Sequence, residues 1–179
     1  VGQMFFVRCP ETDAETDIQQ YHFGGLLLFG RDFKDANKNW LTTEAFTEKL
    51  CSYQAAASIP LFIGSDEEGG TVTRASQNPN LFAERFRSPQ ELSSSANEQD
   101  NVFALDAKEK CSALLHYGIN VNFAPVCDVS TDPNDFIYAR TLGKSAEETS
   151  AYVKSVLSGM DGTGVAAVLK HFPGYGNNT

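Results

Sequence analysis

Two short stretches gather most of the residues that could do chemistry. Late in the chain, the apolar run Val165-Ala166-Ala167-Val168-Leu169 meets Lys170 and His171, followed by a turn, Pro173-Gly174-Tyr175-Gly176. Earlier, Leu61-Phe62-Ile63-Gly64 runs into Ser65-Asp66-Glu67-Glu68-Gly69-Gly70. Each reads as a buried strand that delivers polar groups to a loop at its C-terminal end. A cation beside an imidazole at the end of an apolar strand is costly unless both are paired or solvated in a cleft. Successive strand side chains alternate in direction, so Lys170 and His171 can line one site only if the strand ends there. The plainer reading is a solvated lysine and a satisfied histidine; the placement favours function. The acidic turn could accept hydrogen bonds from ligand hydroxyls, with its glycines letting backbone approach closely. It could equally be a solvated turn. Metal loops space their oxygen ligands more widely, and none of the cysteines has metal-ligand spacing.

Asp128, Arg74 and Arg140 complete the set. Asp128 follows the apolar stretch Val121–Val126 and can tie its loop by accepting from backbone amides. Arg140, alone, would be a surface arginine. His22 and His116 sit in ordinary helical or loop contexts. There is no nucleophile elbow, P-loop or Rossmann glycine fingerprint. Asp66, Arg74, Asp128, Arg140, Lys170 and His171 all fall at or just after strand C-termini. In parallel α/β folds that edge holds the ligand site.

The elements that must position these groups alternate. Strands are expected over Met4–Val7, Phe23–Phe29, Leu61–Gly64, Val121–Val126 and Val165–Leu169. Asp13–Tyr21 reads as a short helix or loop. A helix over Glu44–Ala57, capped by Thr42 or Thr43, would bury Phe46, Leu50, Tyr53 and Ala57. Ser88-Pro89 opens another. The clearest amphipathic helix spans Glu98–Tyr117, with Val102, Leu105, Ala107, Cys111, Leu114 and Leu115 as its apolar stripe and Gly118 ending it. Ser145 starts a capping box for a helix to about Ser158. Thr71–Ser88 and Ser130–Lys144 are irregular. Continuously apolar strands separated by helices predict a parallel sheet in a single unit, residues 1–179.

With 179 residues, 41% hydrophobic and 21% charged, the chain can bury a full core. A net charge of −9 without clustered Lys or Arg excludes nucleic acid as a partner. No apolar run reaches the roughly 20 residues of a membrane helix. Cys9, Cys51, Cys111 and Cys127 are expected as free, buried thiols. Compartment stays open.

Taken together, SDEEGGTVTR (Ser65–Arg74), NFAPVCDV (Asn122–Val129), ARTLGKSAEE (Ala139–Glu148) and LKHFPGYG (Leu169–Gly176) resemble the N-terminal barrel domain of glycoside hydrolase family 3. The branch they are most similar to is the NagZ-type β-N-acetylhexosaminidases. VGQMFFVR and GGLLLFGRDF fit the same pattern. The resemblance implies a (β/α)8 barrel and retaining, cofactor-free and metal-free hydrolysis of terminal β-linked N-acetylhexosamine in peptidoglycan-derived or chitin-derived sugars. It implies that Asp66 accepts from sugar hydroxyls and that Arg74, Arg140, Lys170 and His171 complete the substrate-binding shell. A β-glucosidase of the same family, or a non-catalytic carbohydrate-binding half-barrel, are the alternatives. Relative to the family, Glu67 stands where Gln is common, Thr71 where Arg is, and Tyr175 where His is. The family's acid/base His and nucleophilic Asp belong to segments after the position of Thr179. Gly174-Tyr175-Gly176 would be the hinge of the loop that carries the first of them. About five β/α units are present, against the roughly 250 residues of a full barrel. The expectation is therefore an N-terminal fragment, inactive by itself and able to self-associate through open sheet edges.

Overall fold

The computed structural model describes residues 1–95 and 101–176. Its five strands are β1 (Phe6–Arg8), β2 (Gly25–Leu28), β3 (Phe62–Ser65), β4 (Val121–Asn122) and β5 (Ala166–Ala167). They form one sheet in chain order, every neighbouring pair parallel. Helices α1 (Ala14–Tyr21), α2 (Thr43–Ala56), α3 (Pro89–Ser95), α4 (Val102–His116) and α5 (Ala146–Met160) make the crossovers.

The alternation of the strands sorts the residues into two layers. Leu26, Leu28 and Ile63 turn outward and are buried against Ile18, Phe46, Leu50, Tyr53 and Leu114 of the helices. The opposite face carries Phe6 and Phe123, edge to face at 5.1 Å. Gly64 is required there: a Cβ would lie 2.6 Å from the Phe123 ring and 2.8 Å from that of Phe6.

Local signals explain most boundaries. The Thr42 hydroxyl accepts from Ala45 N and starts α2. Ser145 and Glu148 form the expected capping box of α5. Pro89 opens α3 at the first helical position. The expected start of α4 at Glu98 lies outside the described residues.

Several expectations are corrected. Met4 belongs to a 3-10 turn over Gly2–Met4, and β1 begins at Phe6. The regular part of β4 ends at Asn122, well short of Val126; Pro125 brings no N–H to the ladder, which resumes at a bridge between Val126 and Lys170. On α4, Leu105 and Leu115 face solvent while Ala104, Ala107, Lys110, Cys111 and Leu114 are buried. The apolar stripe is narrower because α4 lies close against α5: a Cβ on Gly159 would meet the Ala104 carbonyl. Of the cysteines, Cys9 and Cys111 are buried, Cys127 is half-buried and Cys51 is exposed. Burial pushes the Cys9 thiol up to about 11. Among the described residues no helix is long and apolar enough to cross a membrane.

Candidate active site

The loops leaving β3, β4 and β5 converge at the carboxyl edge of the sheet. β3 ends at Ser65, and the chain turns through Gly69, whose φ of 98° suits glycine. A Cβ there would also strike the Arg87 carbonyl. The three carboxylates of this turn have divergent fates, and the solvated-turn reading fails for two of them.

Glu67 points into the protein and is fully buried. Its carboxylate accepts from the backbone N–H groups of Arg74 (2.6 Å), Ala75 and Ser76 (3.4 Å), and from the Ser76 hydroxyl (2.8 Å). Its backbone N–H donates to Asn122 Oδ1 of β4 (3.0 Å), and its carbonyl accepts from Asn122 Nδ2 (3.2 Å). Glu67 therefore buttresses the loop. Desolvation raises its pKa, opposed by those hydrogen bonds and by the charge of Lys110.

Asp66 and Glu68 face the cleft and share Lys170, whose Nζ lies 2.7 Å from Asp66 Oδ1 and 2.6 Å from Glu68 Oε1. Arg140 reaches Glu68 in a bidentate fork, Nε to Oε2 at 2.9 Å and Nη2 to Oε1 at 2.8 Å. That fork holds the guanidinium well above its ordinary pKa range. Arg74 approaches Asp66 Oδ2 at 3.8 Å, with its Nε buried and lacking a hydrogen-bond partner among the described residues. The Arg74 guanidinium also lies 5.7 Å from the centre of the Phe29 ring.

The chain of contacts continues through His171. Arg140 Nη2 is 3.1 Å from His171 Nε2, and His171 Nδ1 is 2.7 Å from Asp128 Oδ2. A guanidinium can only donate, so Nε2 accepts and Nδ1 carries the proton, donated to Asp128. Asp128 also accepts from the backbone N–H groups of His171 (3.0 Å) and Tyr175 (2.7 Å). Burial would raise its carboxyl, but these hydrogen bonds outweigh burial and hold it below the ordinary range. The peptide between Lys170 and His171 is cis, and both side chains face the cleft.

The site is graded in depth. The side chains of Glu68 and Asp128 are 2% and 3% exposed, while those of Arg74 and His171 are 27% and 26%. Buried carboxylates thus form the floor, with cations and an imidazole above them. The residues singled out from the sequence, Asp66, Arg74, Arg140, Lys170 and His171, are all brought together. Sequence reasoning missed Glu68 as the hub that two cations share, and Glu67 as the buttress. The available signal was the alternation in Asp66-Glu67-Glu68, which sends the flanking pair one way and the middle residue the other.

A parallel sheet with helical crossovers and an ion-paired polar cluster at its carboxyl edge defines a TIM-barrel-type α/β domain, here an incomplete barrel. Residues 1–179 match the Glycosyl hydrolase family 3 N terminal domain, and the chain belongs to that family. It is 32% identical over 169 residues to beta-hexosaminidase LpqI of Mycobacterium tuberculosis, covering 93% of this chain and 40% of the relative. It is 29% identical over 162 residues to beta-hexosaminidase A of Pseudoalteromonas piscicida, covering 89% of this chain and 26% of that protein. The structure of M. tuberculosis LpqI superposes with a TM-score of 0.78 at 28% identity, over 98% of this chain and 48% of that one. A family 3 beta-N-acetylglucosaminidase from Paenibacillus gives 0.78 at 26% identity, over 98% of this chain and 33% of that one. The chain thus spans less than half the length of these relatives.

Proposed function

We propose that the cleft grips a terminal β-linked N-acetylhexosamine, and that this chain is the substrate-holding part of a retaining β-N-acetylhexosaminidase site. The observation that carries the reading is the contact chain Arg74–Asp66–Lys170–Glu68–Arg140–His171–Asp128. Sugar hydroxyls both donate and accept, so they are best held by ionised carboxylates alternating with cations. Lys170 bonds Asp66 through Oδ1, and Asp66 Oδ2 lies 3.8 Å from Arg74, too far for a direct hydrogen bond, so Oδ2 keeps capacity to accept from a ligand hydroxyl. Lys170, already paired to Asp66 and Glu68, keeps the grip rigid before ligand arrives, which lowers the cost of binding.

The names of the relatives favour N-acetylhexosamine over a plain glucoside. Glycosidic hydrolysis ordinarily needs an acid/base group and a nucleophile on either side of the bond. In this cleft Asp66 and Glu68 are both tied to Lys170, and Asp128 to His171, which suits them to gripping. The test titrates N-acetyl-D-glucosamine and glucose into isotope-labelled protein, and assays the same sample with an aryl β-N-acetylglucosaminide. Shifts at Asp66, Arg140 and His171 with the N-acetyl sugar, and no turnover, are expected. Equal or stronger response to glucose would overturn the substrate assignment. Turnover would make one of the clefted carboxylates a nucleophile.

A further inference from the structure

Beneath the cleft lies a cavity of about 20 Å³ between the sheet and helices α3, α4 and α5. Its polar lining comes from Glu68, Asp106, Lys110, Asn122 and Tyr152, and the remainder is apolar, including Leu92, Phe103 and Met160. Lys110 is unusual for a lysine in being buried. Its ammonium lies 3.1 Å from Asp106 Oδ2, one turn earlier on α4, and 5.2 Å from the centre of the Phe86 ring. Among the described residues no ion pair joins Asp106 or Lys110 to the contact chain that lines the cleft.

The hydrogen-bonding capacity around the cavity is incompletely used by the contacts among the described residues. Lys110 has three donors and spends one on Asp106. Burial, together with Cys127, Asp106 and Glu68, keeps the proton on the Tyr152 hydroxyl, which is therefore available as a donor. On Glu68, Oε1 receives both Lys170 and Arg140, whereas Oε2 receives only Arg140 Nε. A space of this size holds one water, and a buried water needs two to four polar partners. The lining offers donors and acceptors in that number.

We infer that this cavity seats a single structural water, held by Lys110, Asp106 and Tyr152, that donates to Glu68 from below. Lys110 and Tyr152 are then positioning residues: they fix the carboxylate on which Lys170 and Arg140 converge. The effect on ligand binding rests on the sugar-gripping reading above, whereas the water itself does not.

Removing both charges together avoids leaving either one buried alone, and such double replacements commonly keep the fold. The experiment therefore compares wild type, Tyr152→Phe and the double variant Asp106→Leu/Lys110→Met. Three readouts are used: crystal structures at about 1.5 Å, the 13C shift of the Glu68 carboxyl, and affinity for N-acetyl-D-glucosamine. Expected are an ordered water in wild type and its loss in the double variant. The Glu68 signal should move in both variants, and sugar affinity should fall about fivefold in the double variant, the scale of one lost water-mediated contact. A wild-type cavity without ordered water overturns the inference. So does a double variant whose Glu68 signal matches wild type. If water and Glu68 behave as expected but the sugar does not bind wild type, the inference stands and the sugar reading falls.

Discussion

The loops that follow β3 and β5 are each pinned by one buried carboxylate, and they are pinned differently. Glu67 holds its own loop, accepting from amides seven to nine residues ahead. Asp128 belongs to the loop after β4 and holds the loop after β5, 43 to 47 residues away. Glu67 meets neutral donors and is sealed from solvent. Asp128 meets neutral donors too, but adds the imidazole of His171, a group of the cleft. One carboxylate is thus part of the scaffold. The other couples the scaffold to the site, so a change at Asp128 reaches the ligand-facing groups and one at Glu67 reaches them only through the fold.

The largest effect is expected from Glu67→Ala. It strands several buried N–H donors at once, each costing the desolvation penalty of an unmade hydrogen bond. A loss of about 4 kcal/mol in urea unfolding is expected, at the upper end of single substitutions. Asp128→Ala should cost about half as much, about 2 kcal/mol, because its loop is more exposed and water can replace part of what is lost. It should also abolish the N-acetyl-D-glucosamine response at His171, since the imidazole loses the acceptor that fixes its tautomer. If Asp128→Ala proves the more destabilising, or leaves the His171 response intact, the division between scaffold and coupler is wrong.

Much of this architecture was legible in the residues. The five strands, their parallel pairing and the gathering of Asp66, Arg74, Arg140, Lys170 and His171 followed from apolar runs that end in polar residues. The Ser145 capping box was read correctly because it is purely local. What escaped was set by tertiary geometry. Leu105 and Leu115 sit at helical spacing yet face solvent, because Ala104 and Gly159 let α4 and α5 approach closely and leave room for a narrow stripe only. Alternation separates Glu67 from Asp66 and Glu68, but which side becomes buttress and which becomes hub is decided by the Arg74–Ser76 segment folding over Glu67. The burial of Lys110 had no local signature beyond Asp106 one turn earlier.

The finest distinction between the two carboxylates is the sign of their pH dependence. Asp128 titrates below its ordinary value of 3.8 in the fold. Its contribution to stability is fully present above that value and is lost as pH falls through the depressed folded one. Glu67 titrates above its ordinary value of 4.5, because burial outweighs its hydrogen bonds. As pH rises past 4.5 the unfolded chain releases this proton first, so stability declines until the folded group ionises as well. Urea unfolding of wild type, Asp128→Asn and Glu67→Gln between about pH 2.5 and pH 7 separates the two, since each replacement silences one titration. Asp128→Asn should flatten the acid limb below about pH 4, by on the order of 1 kcal/mol, the scale of one net hydrogen bond. Glu67→Gln should leave that limb in place and remove the decline above pH 4.5. Two profiles that change in the same direction would mean that both carboxylates are stabilised as ions, and that the buttress and the coupler are held by one kind of site.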